Sequence, residues 1–517
     1  MKALRFAVPS AVVSLLLVLA GCSSSGSSSS TPVTPIVPTS NNGTVSGLVA
    51  DQAGAPLANV AVEVGSLATQ TNEQGFFALS DVVPGEAVAR FTRAGYVTNS
   101  KRVAVTARQN SQVALTLQVV GNTQTVDATQ ANTVTHRGGS VALPANGIVD
   151  AAGQPVDDVV VQVTTMMPGD PNFEDSMPGD FVGVDGGTRV DLISYGVVDV
   201  ELTDASGNPL NLAAGQTADI EFPFPPNDPG DATIPLWWFD DATGDWIREG
   251  DAVRDDGNGV YRGTVTHFTP WNCDKGRPIA TKVVRLVFEG RPVVGTSVRL
   301  NGNGWAAGGI TDVNGEVTIR VSGNAPPLFP SSADVRILLP SGQWLTLRED
   351  ETMPDPGATL INVYTEADGV VQNLASIVLQ WGERPSDLDA HLTIPTELRS
   401  HVFFAARGAL GSSPFAQLDT DDVTSFGPEI ITVSQMLPGV YRYTVHNFSG
   451  NGSHPISDSG ATITLVLLGQ PTRVYTVPTE NPSNGNYWAV FDLTVDGSGN
   501  VTVTDINQFG GFDILML

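Results

Sequence analysis

Cysteine is almost absent: Cys22 and Cys273 are the only two in 517 residues, so at most one internal disulfide is possible. Lysine is nearly as scarce, at positions 2, 101, 275 and 282 only. Past the N-terminus no apolar run approaches the ~20 residues that span a bilayer as a helix, and none repeats at helical spacing. H-E-x-x-H, G-x-S-x-G, Walker A and a strand-borne G-x-G-x-x-G are all missing. The six histidines, 136, 267, 391, 401, 446 and 454, include no pair at helical zinc spacing. Together these absences argue against a disulfide scaffold, a helical bundle, a zinc peptidase and a nucleotide-binding enzyme. No motif demands a cofactor.

What the chain does have is turn chemistry. It carries 54 Gly and 35 Pro with 41% hydrophobic and only 15% charged residues. Stretches such as "VAVEV", "VVVQVTT", "VTIRV" and "YRYTVHNF" are β-branched or aromatic and bounded by Gly, Pro, Asn or Asp. The expected fold is all-β, with tandem sandwiches in series, since one core does not hold a chain of this length. The net charge of −28 repels nucleic acid and anionic lipid and keeps the protein soluble, and a monomer is expected.

The first residues read "MKALRFAVPSAVVSLLLVLAGC": two basic residues, a short apolar run, then Leu19-Ala20-Gly21-Cys22. This ending resembles the lipobox of bacterial lipoproteins. The resemblance implies that residues 1–21 are a signal peptide and that Cys22 is diacylated. Ser23 then implies sorting to the outer membrane, with the lipid as the membrane partner. Residues 22–41, rich in Ser and then Pro, suit a tether. Removing Lys2 and Arg5 leaves −28 − 2 = −30 on the mature chain. Cys273 is then a lone thiol, expected buried and inert.

Residues 42–120 contain "GTVSGLVADQAGAPLANVAVEV" and "TNEQGFFALSDVVPGE", which resemble the carboxypeptidase regulatory-like (transthyretin-like) β-sandwich, a module without chemistry of its own. Within residues 276–365, Gly290-Arg291-Pro292 and Thr311 to Gly315 repeat the spacing of Gly54-Ala55-Pro56 and Thr71 to Gly75, which suggests a second sandwich of the same kind. Residues 121–275, with "IPLWWFDDATGDWIREGD" and "THFTPWNCD", resemble an extracellular β module of bacterial surface proteins. Trp237 and Trp246 there suit either a sugar-stacking platform or the core of a hairpin. Residues 366–517 resemble a YfaP-like bacterial domain through Trp381, "DLDAH", "LDTDDVTSFGPE" and "LPGVYRYTVHNFSGNG".

In "PSDLDAHLTI", Asp387, Asp389 and His391 alternate with apolar residues and share one strand face. That face is either the wet side of a sheet or a metal site. The segment 418–429 adds Asp419, Asp421, Asp422 and Glu429. Crowded carboxylates repel unless a cation neutralises them, and hard oxygen ligands suit calcium. Asp387, Asp389, Asp421, Asp422 and Glu429 are therefore the candidate calcium ligands. His391 is expected to orient a carboxylate, and if it ligates, zinc fits better. The functional expectation is a lipid-anchored, non-enzymatic envelope protein that binds a carbohydrate or protein ligand. The alternatives are an exported glycan-directed hydrolase and a structural spacer.

Overall fold

The computed structural model describes residues 42–515 except 73–74, 108–109, 227, 229, 289, 325–330, 340–341, 371–373, 424, 426, 453, 468–469 and 471–472. Cys22 and the segments expected to be a signal peptide and a tether lie outside the described residues. Within them nearly everything regular is strand, as the turn-rich composition requires. No helix among the described residues is long and apolar enough to cross a membrane.

The first sandwich is built on its opening strand, Gly43–Asp51. It pairs antiparallel with Phe76–Val82 and parallel with Asn110–Leu117. Gly47 makes the parallel pairing possible, because a Cβ there would lie 1.7 Å from the Val113 carbonyl oxygen. The facing sheet runs Leu67–Gln70, Ala61–Val64, Gly85–Thr92, Asn99–Val105. Val45, Val49, Val62, Phe77 and Phe91 fill the space between the two sheets.

Residues 279–364 repeat this plan strand for strand. Ile279–Phe288 pairs antiparallel with Glu316–Ser322 and parallel with Thr359–Tyr364. The facing sheet runs Trp305–Ile310, Ser297–Gly302, Ser332–Leu338, Trp344–Thr352. The small spacings visible in sequence mark the same device in both copies. Thr71 Oγ1 donates to the Leu57 carbonyl and accepts from the Val60 N–H, and Thr311 does the same with Val293 and Thr296.

A second device was not anticipated. "DQAGAP", "DAAGQP" and "DASGNP" begin at Asp51, Asp150 and Asp204, and each closes a loop in the same way. The aspartate Oδ1 accepts from the N–H groups two and four residues on. The proline of each forms a β-bridge with the residue before the aspartate. Asp312 and Asp496 organise tight turns with the same bonds but without the proline. Much of the acidic excess is therefore turn chemistry facing water.

Between the two sandwiches lies an 11-stranded sheet that runs from Asn122–Asp127 to Asn132–His136. The units in series are packed against one another here. Met166, Phe173, Trp237 and Trp246 share one apolar cluster with Val284, Leu300, Trp305 and Val335 of the second sandwich. Asp175 reinforces the join, 2.7 Å from Arg336 and 3.4 Å from Arg299. The first sandwich is joined as well: buried Lys101 donates to the carbonyls of Met177 and Gly179, and Arg102 pairs with Asp245.

The C-terminal unit faces a six-stranded sheet against a five-stranded one. The first is centred on Glu429–Val433 and Ala375–Gln380, the second on Leu388–Ile394 and Gly439–Asn447. Trp381, Tyr441, Tyr443, Trp488 and Phe491 pack between them. Phe512–Leu515 forms a short 3-10 turn that buries Leu515 but leaves Phe512 exposed.

Breaking a buried ion pair from one side strands the other charge, at a cost of about 3–5 kcal/mol. Asp175→Ala is therefore expected to lower the stability by about 3 kcal/mol, read in urea unfolding followed by tryptophan fluorescence. An unchanged midpoint would show that the join does not depend on this pair.

Candidate functional site

Strand Leu388–Ile394 has both faces covered: all seven of its residues are buried. Leu388, Ala390, Leu392 and Ile394 enter the core as alternation requires. Asp389 and His391 project to the other face, yet they are only 2% and 5% exposed. The polar row is not the wet side of a sheet. In the neighbouring strand Gly439–Asn447, His446 sits directly opposite Asp389. On the other edge, His401 is opposite Thr393.

Asp421 and Glu429 lie against this row. Glu429 opens the strand Glu429–Val433 and is fully buried. One of its carboxylate oxygens accepts the Ala390 N–H, and the carboxyl also lies within hydrogen-bonding reach of Asp421. Asp421 accepts from Arg407 at 2.7 Å through Oδ2, and its Oδ1 is buried. One oxygen each from Asp389, Asp421 and Glu429 lies within 4.8 Å of the others. Calcium binds oxygens at ~2.3–2.6 Å, so two ligands of one ion stand at most about 5 Å apart. The three meet that limit.

Asp387 and Asp422 flank this trio without belonging to it. They act on its electrostatics. Burial, and then Asp389, Asp421 and Asp422, push the Asp387 carboxyl up to about 6. Asp422 is itself buried. Asp419 turns elsewhere: it accepts from the Thr432 hydroxyl, and burial pushes it up to about 6. Burial drives Glu429 well above the usual carboxylate range, with Asp389 and Asp421 adding to the push. That push favours the neutral form of the carboxyl. For Asp389, burial also pushes upward, but the imidazoles of His391 and His446 outweigh it and hold the group below its usual value.

Those imidazoles form the other half of the site. His446 Nδ1 is 3.1 Å from Asp389 Oδ2, and His391 Nε2 is 3.9 Å from the same oxygen. His391 Nδ1 meets His401 Nε2 at 2.8 Å, and the Asn486 amide nitrogen meets His446 Nε2 at 3.2 Å. His391 stacks on Phe403, and His446 on Tyr487. Burial lowers His391, and burial with its neighbour brings His401 down to about 4. Beyond the imidazoles the surface is apolar: Phe404, Phe448 and Phe512 are exposed. Sequence reasoning assigned no role to His401 or His446. The available signal was alternation in "YRYTVHNF", which puts Thr444 and His446 on the face opposite Tyr443 and Val445.

The tryptophan platform is corrected. Trp237 and Trp246 are 2% and 0% exposed, with their indole N–H groups donating to the Asp274 and Pro178 carbonyls. They fill a core and present no face to a sugar. Cys273 is buried, and burial pushes its thiol well above its usual range.

Comparison with known proteins gives one family match. Residues 44–118 match the carboxypeptidase regulatory-like domain. The first sandwich is such a domain. No curated protein matches the chain. Among solved structures, a homologue of the telluride resistance protein TerD from Streptomyces coelicolor A3(2) is 18% identical, covering 27% of this chain and 91% of its own at a TM-score of 0.22. The major pilin subunit of Bacillus cereus is 10% identical, covering 63% and 99% at a TM-score of 0.13. A Ca2+-stabilized, ice-binding adhesin of an Antarctic bacterium is 10% identical, covering 91% and 99% at a TM-score of 0.10. Scores this low carry no weight for the site.

If Glu429 is neutral in the cation-free protein, a neutral isostere is tolerated there. Glu429→Gln is expected to leave urea stability in EDTA within about 1 kcal/mol of the parent. A loss above about 3 kcal/mol would show that Glu429 is charged and paired without a cation.

Proposed function

We propose that the chain is a non-enzymatic binding protein of the bacterial cell envelope, held at the outer membrane through lipid on Cys22. In this reading its C-terminal unit binds a calcium-type cation between Asp389, Asp421 and Glu429, with Asp387 and Asp422 around it. The supporting observation is the fully buried Glu429 carboxyl, crowded against those of Asp389 and Asp421 with no ion pair of its own among the described residues. Like charges buried together repel, a cost that a cation would remove.

The partner surface in this reading is the apolar rim of Phe404, Phe448 and Phe512, which suits a glycan or an envelope protein. A pure spacer has no need of such a rim. Nucleic acid is disfavoured by the net charge of −28. A glycan hydrolase working from this unit would need carboxylates open to a polymer. Those of Asp389 and Glu429 are instead 2% and 0% exposed, which favours a held ion.

Extracellular calcium modules bind at ~10⁻⁴–10⁻³ M, so about 5 mM calcium stabilises the folded state by ~1–2 kcal/mol. Thermal melting of the purified protein is expected to show this gain with calcium and less with magnesium, which tolerates only near-octahedral sites. Asp421→Asn is expected to abolish the gain. Equal melting with and without calcium would contradict the reading.

A further inference from the structure

Asp389 also belongs to a second group: Asp389, His391 and His446 offer one oxygen and two nitrogens that all lie within 4.8 Å of one another. Asp389 Oδ2 stands 3.1 Å from His446 Nδ1 and 3.9 Å from His391 Nε2. Ligands held at ~2.0–2.1 Å from a tetrahedral zinc stand about 3.3 Å apart. The observed pair distances bracket that value. Oxygen-only calcium chemistry does not use imidazole, so this group suits a different class of ion.

His391 supplies the independent observation. It is 5% exposed, and its Nε2 has no hydrogen-bond partner. The Asp389 oxygen 3.9 Å away is too far for a hydrogen bond. Its other nitrogen, Nδ1, is engaged with His401 Nε2 at 2.8 Å. When that Nδ1–H donates to His401, Nε2 is left as a bare lone pair directed at a carboxylate. Two acceptors so placed in a buried site need a cation between them. Fixing one imidazole nitrogen by a hydrogen bond so that the other ligates is the usual outer-shell arrangement of a metal histidine. The Asn486 amide, 3.2 Å from His446 Nε2, serves His446 likewise once its carbonyl oxygen faces the ring.

We propose that Asp389, His391 and His446 form a second site, for a first-row divalent transition ion such as zinc, with His401 and Asn486 as positioning residues. Asp389 is the ligand common to this site and the carboxylate site. The two sites are chemically separable, so this one stands whether or not calcium binds beside it. Three protein ligands leave a fourth position for water or for a donor group on a bound partner.

The test is titration of the tag-free, chelator-stripped protein with cobalt(II), which reports four-coordinate geometry by its visible d–d absorption, followed by displacement with zinc. One equivalent of cobalt is expected to give the absorption and one of zinc to remove it. His391→Ala and His446→Ala are each expected to weaken binding by at least about 100-fold, with circular dichroism confirming the fold. His401→Phe is expected to weaken it about 10-fold while keeping the absorption bands. Asp421→Asn, which removes the calcium gain, is expected to leave the cobalt spectrum unchanged, so each site fails or survives alone. Absence of a stoichiometric cobalt spectrum in the parent protein would overturn the proposal whatever the variants do. Unchanged binding in the folded histidine variants would also overturn it.

Discussion

A carboxylate taken out of water must find a counter-charge or accept a proton, and in this chain counter-charges are few: 54 acidic residues face 26 basic ones. The fold meets that constraint in three ways. Many aspartates never leave water and are spent closing turns, as Asp204, Asp312 and Asp496 are. Others are matched at joins between elements: Asp175 with Arg299 and Arg336, Asp191 with Arg277 and Arg320, Asp492 with Arg442, Glu351 with Lys282. A third group has no ion pair among the described residues: burial pushes Asp199 and Asp274 well above the usual carboxylate range. The C-terminal unit is different, because it buries several carboxylates together and offers them one arginine, Arg407, and neutral imidazoles.

The same arithmetic explains how the units hold to one another. Ion pairs such as Arg102–Asp245 and Arg336–Asp175 cross between units beside a shared apolar cluster, so the joins are polar and specific around an apolar centre. Lys101 shows the cost: burial lowers its ammonium to about 8, and the carbonyls of Met177 and Gly179 hold what charge remains.

Local patterns carried the fold. Alternating β-branched strands and Gly-Pro turns are short-range features, and the paired spacings at Thr71 and Thr311 sufficed to suggest a repeated sandwich. The shared face of Asp389 and His391 was equally legible, because strand alternation is a property of the backbone. What surrounds that face was not, since its burial depends on Glu429 some forty positions on and on His446 across the sheet. The tryptophans failed for the opposite reason. Aromatic density in "PLWWFDDATGDW" is the same for a platform and for a core, and only the packing against Trp305 and Val335 of another unit distinguishes them. The "DxxGxP" turns were readable throughout, being identical local chemistry at three sites.

The central claim is that the buried carboxylates of the C-terminal unit are completed by a cation. Diffraction from crystals grown with calcium, with an anomalous difference map, tests it most directly. The expected result is one peak at ~2.3–2.6 Å from oxygens of Asp389, Asp421 and Glu429. Calcium-saturated crystals with no anomalous peak among those three side chains would contradict it.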